Sequence, residues 1–372
     1  MKYCAWLHST GVIGAGAYHR MRDKGMSAQS VWETDNEIIK KTGVFTDTQL
    51  NHIAAAKSGK TPDEIWEELT DKGILFYCMG KGEYPQKLLN IPNAPYGLFV
   101  KGALPDPDIP CVGIVGARNC TNYGFTISYE IGRKLADKGI GVISGLARGI
   151  DSRSQQGALD AGGLTYGVLG SGIDVCYPPE NSSLYERICQ KGGMISEFSP
   201  GTKPQGKNFP MRNRIISGFC DALIVVEARK RSGSLITADF ALDQGRDVYA
   251  VPGPLDNENS KGTNYLIKQG AGIFLSVEDM LEDLSRGGIF ADYLSVNPPL
   301  SKELKNHTAQ KLILADFERV VYSSLTLCPK GLDILMEETG LELKELYRAI
   351  FCLVRSGYIK EVSKNKYARV KA

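Results

Sequence analysis

Residues 111–139 read CVGIVGARNCTNYGFTISYEIGRKLADKG, an apolar strand followed by a glycine turn and a long helix pattern. Ile127, Ile131 and Leu135 share one face of that helix. The same alternation continues to residue 284, with further strands predicted at 141–145, 164–170, 194–198, 222–228, 247–251 and 272–276. Short strands that are apolar on both faces are typical of a parallel sheet covered by helices on both sides. The sequence therefore predicts an α/β fold with a Rossmann-like, doubly wound, mainly parallel sheet.

Residues 1–72 are polar and helix-patterned, and we predict that they form a separate helical domain. Two glycine turns, GVIGAG at 11–16 and KKTGVF at 40–45, each precede a helix-like segment. Paired hairpins of this kind are typical of SAM or helix-hairpin-helix domains. Glycine turns at helix N-termini can hold a DNA phosphate. A small packing module would have the same pattern, and both interpretations stay open.

The rest of the chain is predicted to form three parts. Residues 73–284 combine a proline-rich, extended lead-in with the sheet, and we interpret them as one extended Rossmann-like domain. Residues 285–310 contain Gly-Gly and Pro-Pro without a clear period, which indicates a linker. Residues 311–372 contain helices followed by a hairpin that turns at 364–366, the pattern of a winged helix.

Composition limits the classes of function. The 372 residues carry 44 Lys and Arg against 42 Asp and Glu, a formal net charge of +2. This balance excludes a globally basic, histone-like protein, so a polyanionic partner must meet a local basic surface.

Cysteine and histidine usage predicts neither a metal site nor a disulfide framework. The nine cysteines are scattered without a C-x-x-C pair, and there are only four histidines. No signal peptide and no membrane-spanning apolar run is found in the sequence. We expect a cytoplasmic protein that has no metal and no contact with the membrane.

The loops that follow the strands concentrate glycine, serine and positive charge. In an open parallel sheet, ligands bind beyond the carboxyl ends of the strands. We call these loops the rim, and they comprise residues 116–124, 144–151, 170–174, 196–209, 227–234 and 251–256. Their cations are Arg118, Arg148, Lys203, Lys207, Arg229, Lys230 and Arg231. Backbone N–H groups reinforced by lysine and arginine form anion-binding sites.

A nucleotide cofactor does not fit the rim. The first strand lacks the G-x-G-x-x-G turn, and the second ends in Ser144-Gly145, where a dinucleotide enzyme needs an acidic residue for the ribose. No G-x-x-x-x-G-K-[ST] loop for ATP is present either. We therefore predict no cofactor.

Hydrolysis of a nucleoside monophosphate is the alternative function. The stretch RSGSLITADFALDQG at 231–245 lies where phosphoribohydrolases of the lysine-decarboxylase-like superfamily have a PGG-x-GT-x-x-E loop. It lacks the second glycine pair and the glutamate of that loop. Glu227 at the end of its strand remains a candidate acid, although a carboxylate at this position is commonly structural.

A polymer of phosphates suits the rim better, and the stretch KNFPMRNR at 207–214 supplies both features that a single strand requires. Lys207, Arg212 and Arg214 can neutralise phosphates, and Phe209 can stack on a base. Alternatively, Phe209 packs under the sheet edge, and Arg214 pairs with an acidic residue, Asp221 or Glu197. The candidate strand-binding residues are Gly116, Arg118, Ser144, Gly145, Lys207, Asn208, Phe209, Arg212, Arg214, Ser232, Gly233 and Ser234.

Six ordered motifs resemble the DNA-processing protein DprA (Smf) family. They are GIVGARNCTNYG, VISGLARGID, GVLGSGIDVCYPPEN, NFPMRNRIISG, VVEARKRSGSLITA and GRDVYAVPG. The resemblance covers the whole sheet region and is weaker at both ends. Ala117 replaces the serine that many members have in a G-S-R turn, which leaves Arg118 in place and puts only a hydroxyl contact in question.

The resemblance implies a bacterial cytoplasmic protein that is not an enzyme. Family members bind single-stranded DNA, load the RecA recombinase onto it and displace single-strand-binding protein during natural transformation. The strand-holding residues of the family correspond to Arg118, Lys207, Phe209 and Arg212. The family also forms homodimers through the end of its sheet domain, which corresponds here to Tyr265, Leu266 and Ile267. For the last two, ordinary packing of a helix on the sheet is the alternative.

The predicted recognition helix of the winged helix has a mixed surface. It carries Glu342, Lys344, Glu345, Arg348 and Arg355, whereas the predicted wing carries Lys360, Lys364, Lys366 and Arg369. A helix that reads the major groove needs a basic or amide-rich exposed face. Weak contact with a DNA backbone and contact with a protein both stay open.

Overall fold

The computed structural model of the protein describes residues 1–285, Tyr293 and residues 316–370. The predicted linker at 285–310 lies outside these residues, apart from Ser285 and Tyr293. No helix within the described ranges is long and apolar enough to cross a membrane.

Nine strands of the described chain form one sheet, and most of its pairings are parallel. The strands are β1 (Leu75–Cys78), β2 (Gly97–Gly102), β3 (Cys111–Val115), β4 (Gly141–Ser144), β5 (Thr165–Leu169), β6 (Gly193–Ser196), β7 (Ala222–Val225), β8 (Asp247–Ala250) and β9 (Gly272–Ile273). Their order across the sheet is β1-β2-β6-β5-β4-β3-β7-β8-β9. The antiparallel pairings of this sheet both involve β2, which pairs with β1 on one side and with β6 on the other. The α/β fold with a largely parallel sheet is thus confirmed.

Eight helices connect or flank the strands. They are α7 (Gln86–Leu89), α8 (Asn122–Asp137), α9 (Ile150–Asp160), α10 (Ser182–Lys191), α11 (Asn208–Phe219), α12 (Gly233–Asp243), α13 (Lys261–Lys268) and α14 (Val277–Ser285). Residues of α8, α9 and α14 bury apolar side chains in a core on one face of the sheet. Residues of α10, α11, α12 and α13 do so in a second core on the other face. The sheet is therefore wound on both sides, as its continuously apolar strands require.

The strand order reverses beside β3, and this reversal places the candidate site. The chain runs outward from β3 through β4 and β5 to β6 and then returns, so that β7 lies on the opposite side of β3. Diverging loops at such a reversal leave a crevice beyond the carboxyl ends of the strands. The loops after β3, β4 and β7 and the N-terminus of α11 surround that crevice.

Six helices precede the sheet and share its larger core. They are α1 (Lys2–Ser9), α2 (Ala15–Asp23), α3 (Ala28–Glu33), α4 (Asn36–Lys41), α5 (Asp47–Lys57) and α6 (Pro62–Asp71). Gly11 and Gly43 have φ near +69°, so both glycine turns use a conformation that other residues avoid. Nε of Arg20 donates to the Val44 carbonyl oxygen at 2.8 Å and links α2 to the second turn. Trp6 and Leu7 belong to the same buried cluster as the sheet residues, so these helices pack on the sheet.

The C-terminal region has a core of its own. Its helices are α15 (Asp316–Ser324), α16 (Leu332–Thr339) and α17 (Leu343–Arg355), and its strands are β10 (Lys330–Gly331), β11 (Ile359–Ser363) and β12 (Lys366–Arg369). The strands form an antiparallel sheet in the order β10-β12-β11. Asn365 has a φ of +59° in the turn between β11 and β12, where a hairpin was predicted. Buried Leu335, Leu346 and Leu353 hold the helices together.

Candidate functional site

An open cavity of about 560 Å³ lies at the crevice beside β3. We call it the rim cleft. Its lining includes Val115, Gly116, Arg118, Ala147, Asp151, Tyr177, Pro204, Gly206, Phe209, Pro210, Arg212, Asn213, Ile216, Ser232, Gly233, Ser234 and Thr237. Seven of the twelve predicted strand-binding residues belong to this lining: Gly116, Arg118, Phe209, Arg212, Ser232, Gly233 and Ser234.

Phe209 forms one wall of the rim cleft. The guanidinium carbon of Arg118 lies 5.1 Å from the centroid of its ring. The ring centroid of Tyr177 lies 5.7 Å from that of Phe209. Behind the ring is Gly170, where an added methyl group would lie only 2.8 Å from Cδ1 of Phe209. The glycine therefore leaves room for a half-buried ring beside a cation.

Tyr177 was not predicted as a site residue, although it lines the rim cleft. It follows the predicted loop at 170–174 by three residues, as part of the stretch DVCYPP. An aromatic side chain just beyond a rim loop was the available signal, but its position beside Phe209 depends on how two distant loops meet.

Exposed cations surround the cleft. Arg118, Lys203, Lys207, Lys230 and Arg231 are exposed, and none forms an ion pair with a described residue. Lys207 directly precedes the first residue of α11. Two other predicted rim cations differ: Arg148 pairs with Glu180, and Nε of Arg229 donates to Asn259 at 3.2 Å. Five cations are therefore available to an anionic ligand.

Arg212, which was predicted to neutralise a phosphate, lines the cleft but is buried. Only 4% of the residue is exposed. Its Nη1 donates to the carbonyl oxygen of Gly145 at 2.9 Å and also to that of Val168. Its Nε donates to Asn213 Oδ1 at 3.1 Å. Burial lowers the pKa of Arg212 to about 10, so the guanidinium stays charged at neutral pH. The side chain fixes the ends of β4 and β5 and supplies a positive floor to the cleft.

Asp151 lies under the same floor and was not predicted as a site residue. Its Oδ2 accepts from the Gly145 N–H at 3.1 Å. Burial raises the pKa of Asp151, while the charge of Arg212 and the hydrogen bond from Gly145 oppose that shift. The sequence signal was an acidic residue at the end of the rim loop 144–151, in the first turn of α9.

Ser144 lies behind the cleft, whereas Gly145 lines a small pocket beside it with Arg118 and Phe209. Ser144 is fully buried, and its hydroxyl donates to the Ile114 carbonyl oxygen at 2.5 Å. A methyl group on Gly145 would lie 2.5 Å from Nη2 of Arg212. Ser144 therefore supports the floor, and the role of Gly145 as a ligand stays a prediction.

Arg214 and Asn208 are also committed to internal bonds. Nη2 of Arg214 donates to both carboxylate oxygens of Glu197, at 2.7 and 2.8 Å. This is one of the two pairings that the sequence left open. Nδ2 of Asn208 donates to the Gly170 carbonyl oxygen at 3.2 Å. Both buried side chains thus have internal partners, and their phosphate-binding role stays a prediction.

The N-terminus of α12 faces the cleft. Ser232 caps the helix, since its hydroxyl accepts from the Ser234 N–H at 3.4 Å. The N-terminus of a helix favours a negative charge, because its first N–H groups have no partners within the helix. Ser232, Gly233 and Ser234 therefore add backbone donors to the cations of the rim.

Glu227, the candidate acid of the alternative function, is part of a structural network outside the cleft lining. Its carboxylate accepts from the N–H and the hydroxyl of Thr121, at 2.9 and 2.5 Å. It also accepts from Nδ2 of Asn259 at 3.3 Å. These bonds fix the start of α8. Among the described residues, no group of three or more His, Cys, Asp or Glu could hold a metal ion.

The predicted dimer residues on α13 separate into exposed and buried ones. Tyr265 is 52% exposed, whereas Leu266 is only 5% exposed and belongs to the core. Ile267 is partly buried and packs against that core. Leu266 is therefore a packing residue, which was the alternative interpretation.

The comparisons with known proteins agree with this architecture. Residues 75–285 match the family model described as DNA recombination-mediator protein A. The DNA processing protein DprA of Bacillus subtilis is 37% identical over 264 residues, which cover 68% of this chain and 88% of that protein. The protein Smf of Synechocystis is 34% identical and covers 76% of this chain and 72% of its own length.

Two solved structures are similar to this one. The X-ray structure of DNA processing protein A from Streptococcus pneumoniae has a TM-score of 0.64 and 32% identity, over 76% of this chain and 97% of that chain. A structure of the Helicobacter pylori protein, whose description concerns its single-stranded DNA binding mode, has a TM-score of 0.51 and 27% identity. It covers 57% of this chain and 96% of its own. The chain therefore belongs to the DNA recombination-mediator protein A family, also called the DprA or Smf family.

Proposed function

We propose that this protein binds single-stranded DNA in the rim cleft with little preference for sequence. One observation carries the proposal: the Arg118 guanidinium lies 5.1 Å from the ring centroid of Phe209 at an open cleft. A cation beside an aromatic face offers a phosphate and the adjacent base a partner each. The single-stranded DNA binding of the Helicobacter pylori relative supports the same interpretation.

The remaining rim residues extend the path of the strand. Arg118 and Lys207 contact phosphates, and Lys203, Lys230 and Arg231 continue the positive track on both sides. The N-terminus of α12 binds a further phosphate through its N–H groups. Phe209, with Tyr177 beside it, stacks on a base and contributes about 1–3 kcal/mol. Since every base has a π-face and every nucleotide a phosphate, these contacts tolerate any sequence.

Family membership supports a wider role in DNA processing. We propose that the protein loads the RecA recombinase onto the bound strand and displaces single-strand-binding protein during natural transformation, in the bacterial cytoplasm. It acts as a homodimer that uses the exposed part of α13 and the adjoining sheet edge. Tyr265 and Ile273 are exposed there, in keeping with an apolar contact.

We also propose the assignment of the flanking regions. Residues 1–72 form a SAM or helix-hairpin-helix-like domain, 73–284 the DNA-binding domain, 285–310 a linker and 311–372 a winged helix. The three helices and three-stranded sheet of the last region support its assignment. The protein acts by binding and not by catalysis. No observation favours the hydrolase alternative, because the bonds of Glu227 hold the start of α8 together.

Competition binding tests this proposal on the full chain. A fluorescein-labelled (dT)20 is bound first, and unlabelled single-stranded or duplex oligonucleotides of mixed sequence then compete for the protein. We expect the single strands to compete at least about tenfold better, with little difference among sequences. In parallel, AMP is incubated with the protein, and no free base is expected. Equal competition by duplex DNA, or base release that Glu227→Gln abolishes, would contradict the proposal.

A further inference from the structure

The helix α17 exposes an apolar stripe. Leu343, Tyr347 and Phe351 follow each other at intervals of four residues, and Val354 comes three residues later, so the four lie on one face. Their exposed fractions are 48%, 44%, 66% and 41%. The adjacent face supplies Leu346, Ile350 and Leu353 to the core of the C-terminal region. The apolar face of the helix is therefore wider than the core beneath it covers, and the uncovered part is open to solvent.

A row of cations borders this stripe. Lys344, Arg348 and Arg355 each follow one of the exposed apolar residues by one position, which places them along the same edge of the stripe. All three are exposed, and none pairs with a described residue. The nearest acidic residue of the helix, Glu345, is engaged at the helix start, where its side chain accepts from the Glu342 N–H at 3.3 Å. The positive charge along the stripe thus has no internal counterpart on this helix.

The shape of this surface favours a protein partner over a nucleic acid. Leu343 and Val354 add aliphatic side chains at the two ends, which a strand of DNA would not cover. Apolar residues spaced over nearly three turns match the anchors that one amphipathic helix offers to another. The cations along one edge then require carboxylates on the partner, since charge complementarity sets the orientation of docking.

We propose that the exposed face of α17 docks an acidic amphipathic helix of a partner protein. The apolar residues of the partner cover the stripe from Leu343 to Val354, and its carboxylates meet Lys344, Arg348 and Arg355. This surface is separate from the rim cleft, because none of its residues lines that cavity. The inference therefore stands or falls independently of the proposed DNA binding.

A defined peptide tests the proposal on the full chain. The probe is a fluorescein-labelled 18-residue peptide of leucine, alanine and glutamate, with leucines on one helical face, and its partner probe has lysine in place of every glutamate. We expect the acidic peptide to bind at least about tenfold more tightly than the lysine peptide, because of the cationic edge. Phe351→Ser and Arg348→Glu should each weaken its binding about tenfold. Leu255→Ser and Lys191→Glu, which change exposed residues elsewhere, should leave it unchanged.

Three results would overturn the proposal. The first is acidic-peptide binding that is absent, or that neither Phe351→Ser nor Arg348→Glu reduces. The second is a loss of (dT)20 affinity in Phe351→Ser without a loss of peptide binding, which would assign the face to nucleic acid. The third is a wild-type dimer that Phe351→Ser dissociates in sedimentation, which would make a second copy the occupant. Tyr347→Ser, with circular dichroism of each variant, replaces any variant that does not fold.

Discussion

Two pairs of cations that were predicted to bind phosphate have opposite environments. Arg118 and Lys207 are exposed at the mouth of the rim cleft and have no ion-pair partner among the described residues. Arg212 and Arg214, which both lie on α11, are buried. Arg212 donates to backbone carbonyls, and Arg214 donates to Glu197. All four were predicted to contact phosphate, although an internal ion pair was the alternative for Arg214. The difference shows that the position of a cation relative to the sheet, and not its presence in a basic motif, decides whether it can reach a ligand.

The largest effect is expected for Arg212→Ala, which sharpens the contrast between the two pairs. The substitution leaves the carbonyls of Gly145 and Val168 without their donor and removes the positive charge that favours the ionised form of Asp151. Removing one member of a buried charged network costs about 3–5 kcal/mol, so the midpoint of urea unfolding should fall strongly. Arg118→Ala serves as the matched control and should change stability by less than about 0.5 kcal/mol. Equal stability of the two variants would show that Arg212 is not a structural residue.

Arg214→Ala should have the next largest effect. It leaves the carboxylate of Glu197 without the Nη2 donor that contacts both of its oxygens, and an unsatisfied charged group of this kind costs about 2–3 kcal/mol of unfolding free energy. Arg133→Ala removes an arginine from a more exposed pair with Glu130 and Asp137 and should cost at most about 1 kcal/mol. After correction for the folded fraction, the (dT)20 affinity of Arg214→Ala should match that of the wild type. A specific loss of affinity would return Arg214 to the binding surface.

Phe209→Ala separates the aromatic contribution from the charges around it. We expect a loss of about 1–3 kcal/mol in binding free energy for (dT)20. The loss should persist at all salt concentrations, because stacking releases no counterions. Phe209→Tyr keeps the ring and should bind nearly as the wild type does. An unchanged affinity of Phe209→Ala would mean that the ring serves only to pack against Gly170.

His8 adds a buried titratable group to this comparison of exposed and buried cations. Its Nε2–H donates to the Glu197 carbonyl oxygen at 2.7 Å, whereas its Nδ1 is buried without a hydrogen-bond partner. Burial lowers the pKa of His8 below the ordinary value. The unfolded chain therefore binds the proton more readily, and stability should fall as the pH drops through about 6.5 and below. Urea unfolding at pH 7.5, 6.5 and 5.5 should show this decline in the wild type and a weaker one in His8→Gln. Parallel declines would exclude His8 as the cause.

The local part of the fold was predictable from the sequence. All strands expected from apolar runs are present, and Ile131 and Leu135 face inward as their helical spacing indicated. Periodicity is a local property, and it fixes which face of an element is apolar. The glycine turns and the hairpin turn at Asn365 follow equally from local chemistry.

The sequence did not predict which cations are buried and which are exposed to a ligand. Arg212 is buried because two strand ends, at Gly145 and Val168, present their carbonyls to it, and only the assembled sheet brings them together. Tyr177 reaches Phe209 for a similar reason. The same holds for the N-terminal helices, whose shared core with the sheet depends on contacts between distant parts of the chain.

The salt dependence of single-strand binding tests whether the exposed cations contact DNA phosphates. The dissociation constant for labelled (dT)20 is measured from low to moderate salt for the wild type, for Arg118→Ala with Lys207→Ala, and for Lys191→Ala as the control. The slope of log affinity against log salt is negative, and each lost phosphate contact on a single strand makes it shallower by about 0.7. The double variant should therefore have a slope shallower by about 1.4, while the control keeps the wild-type slope. A double variant with the wild-type slope and affinity would contradict DNA binding through Arg118 and Lys207 at the rim cleft.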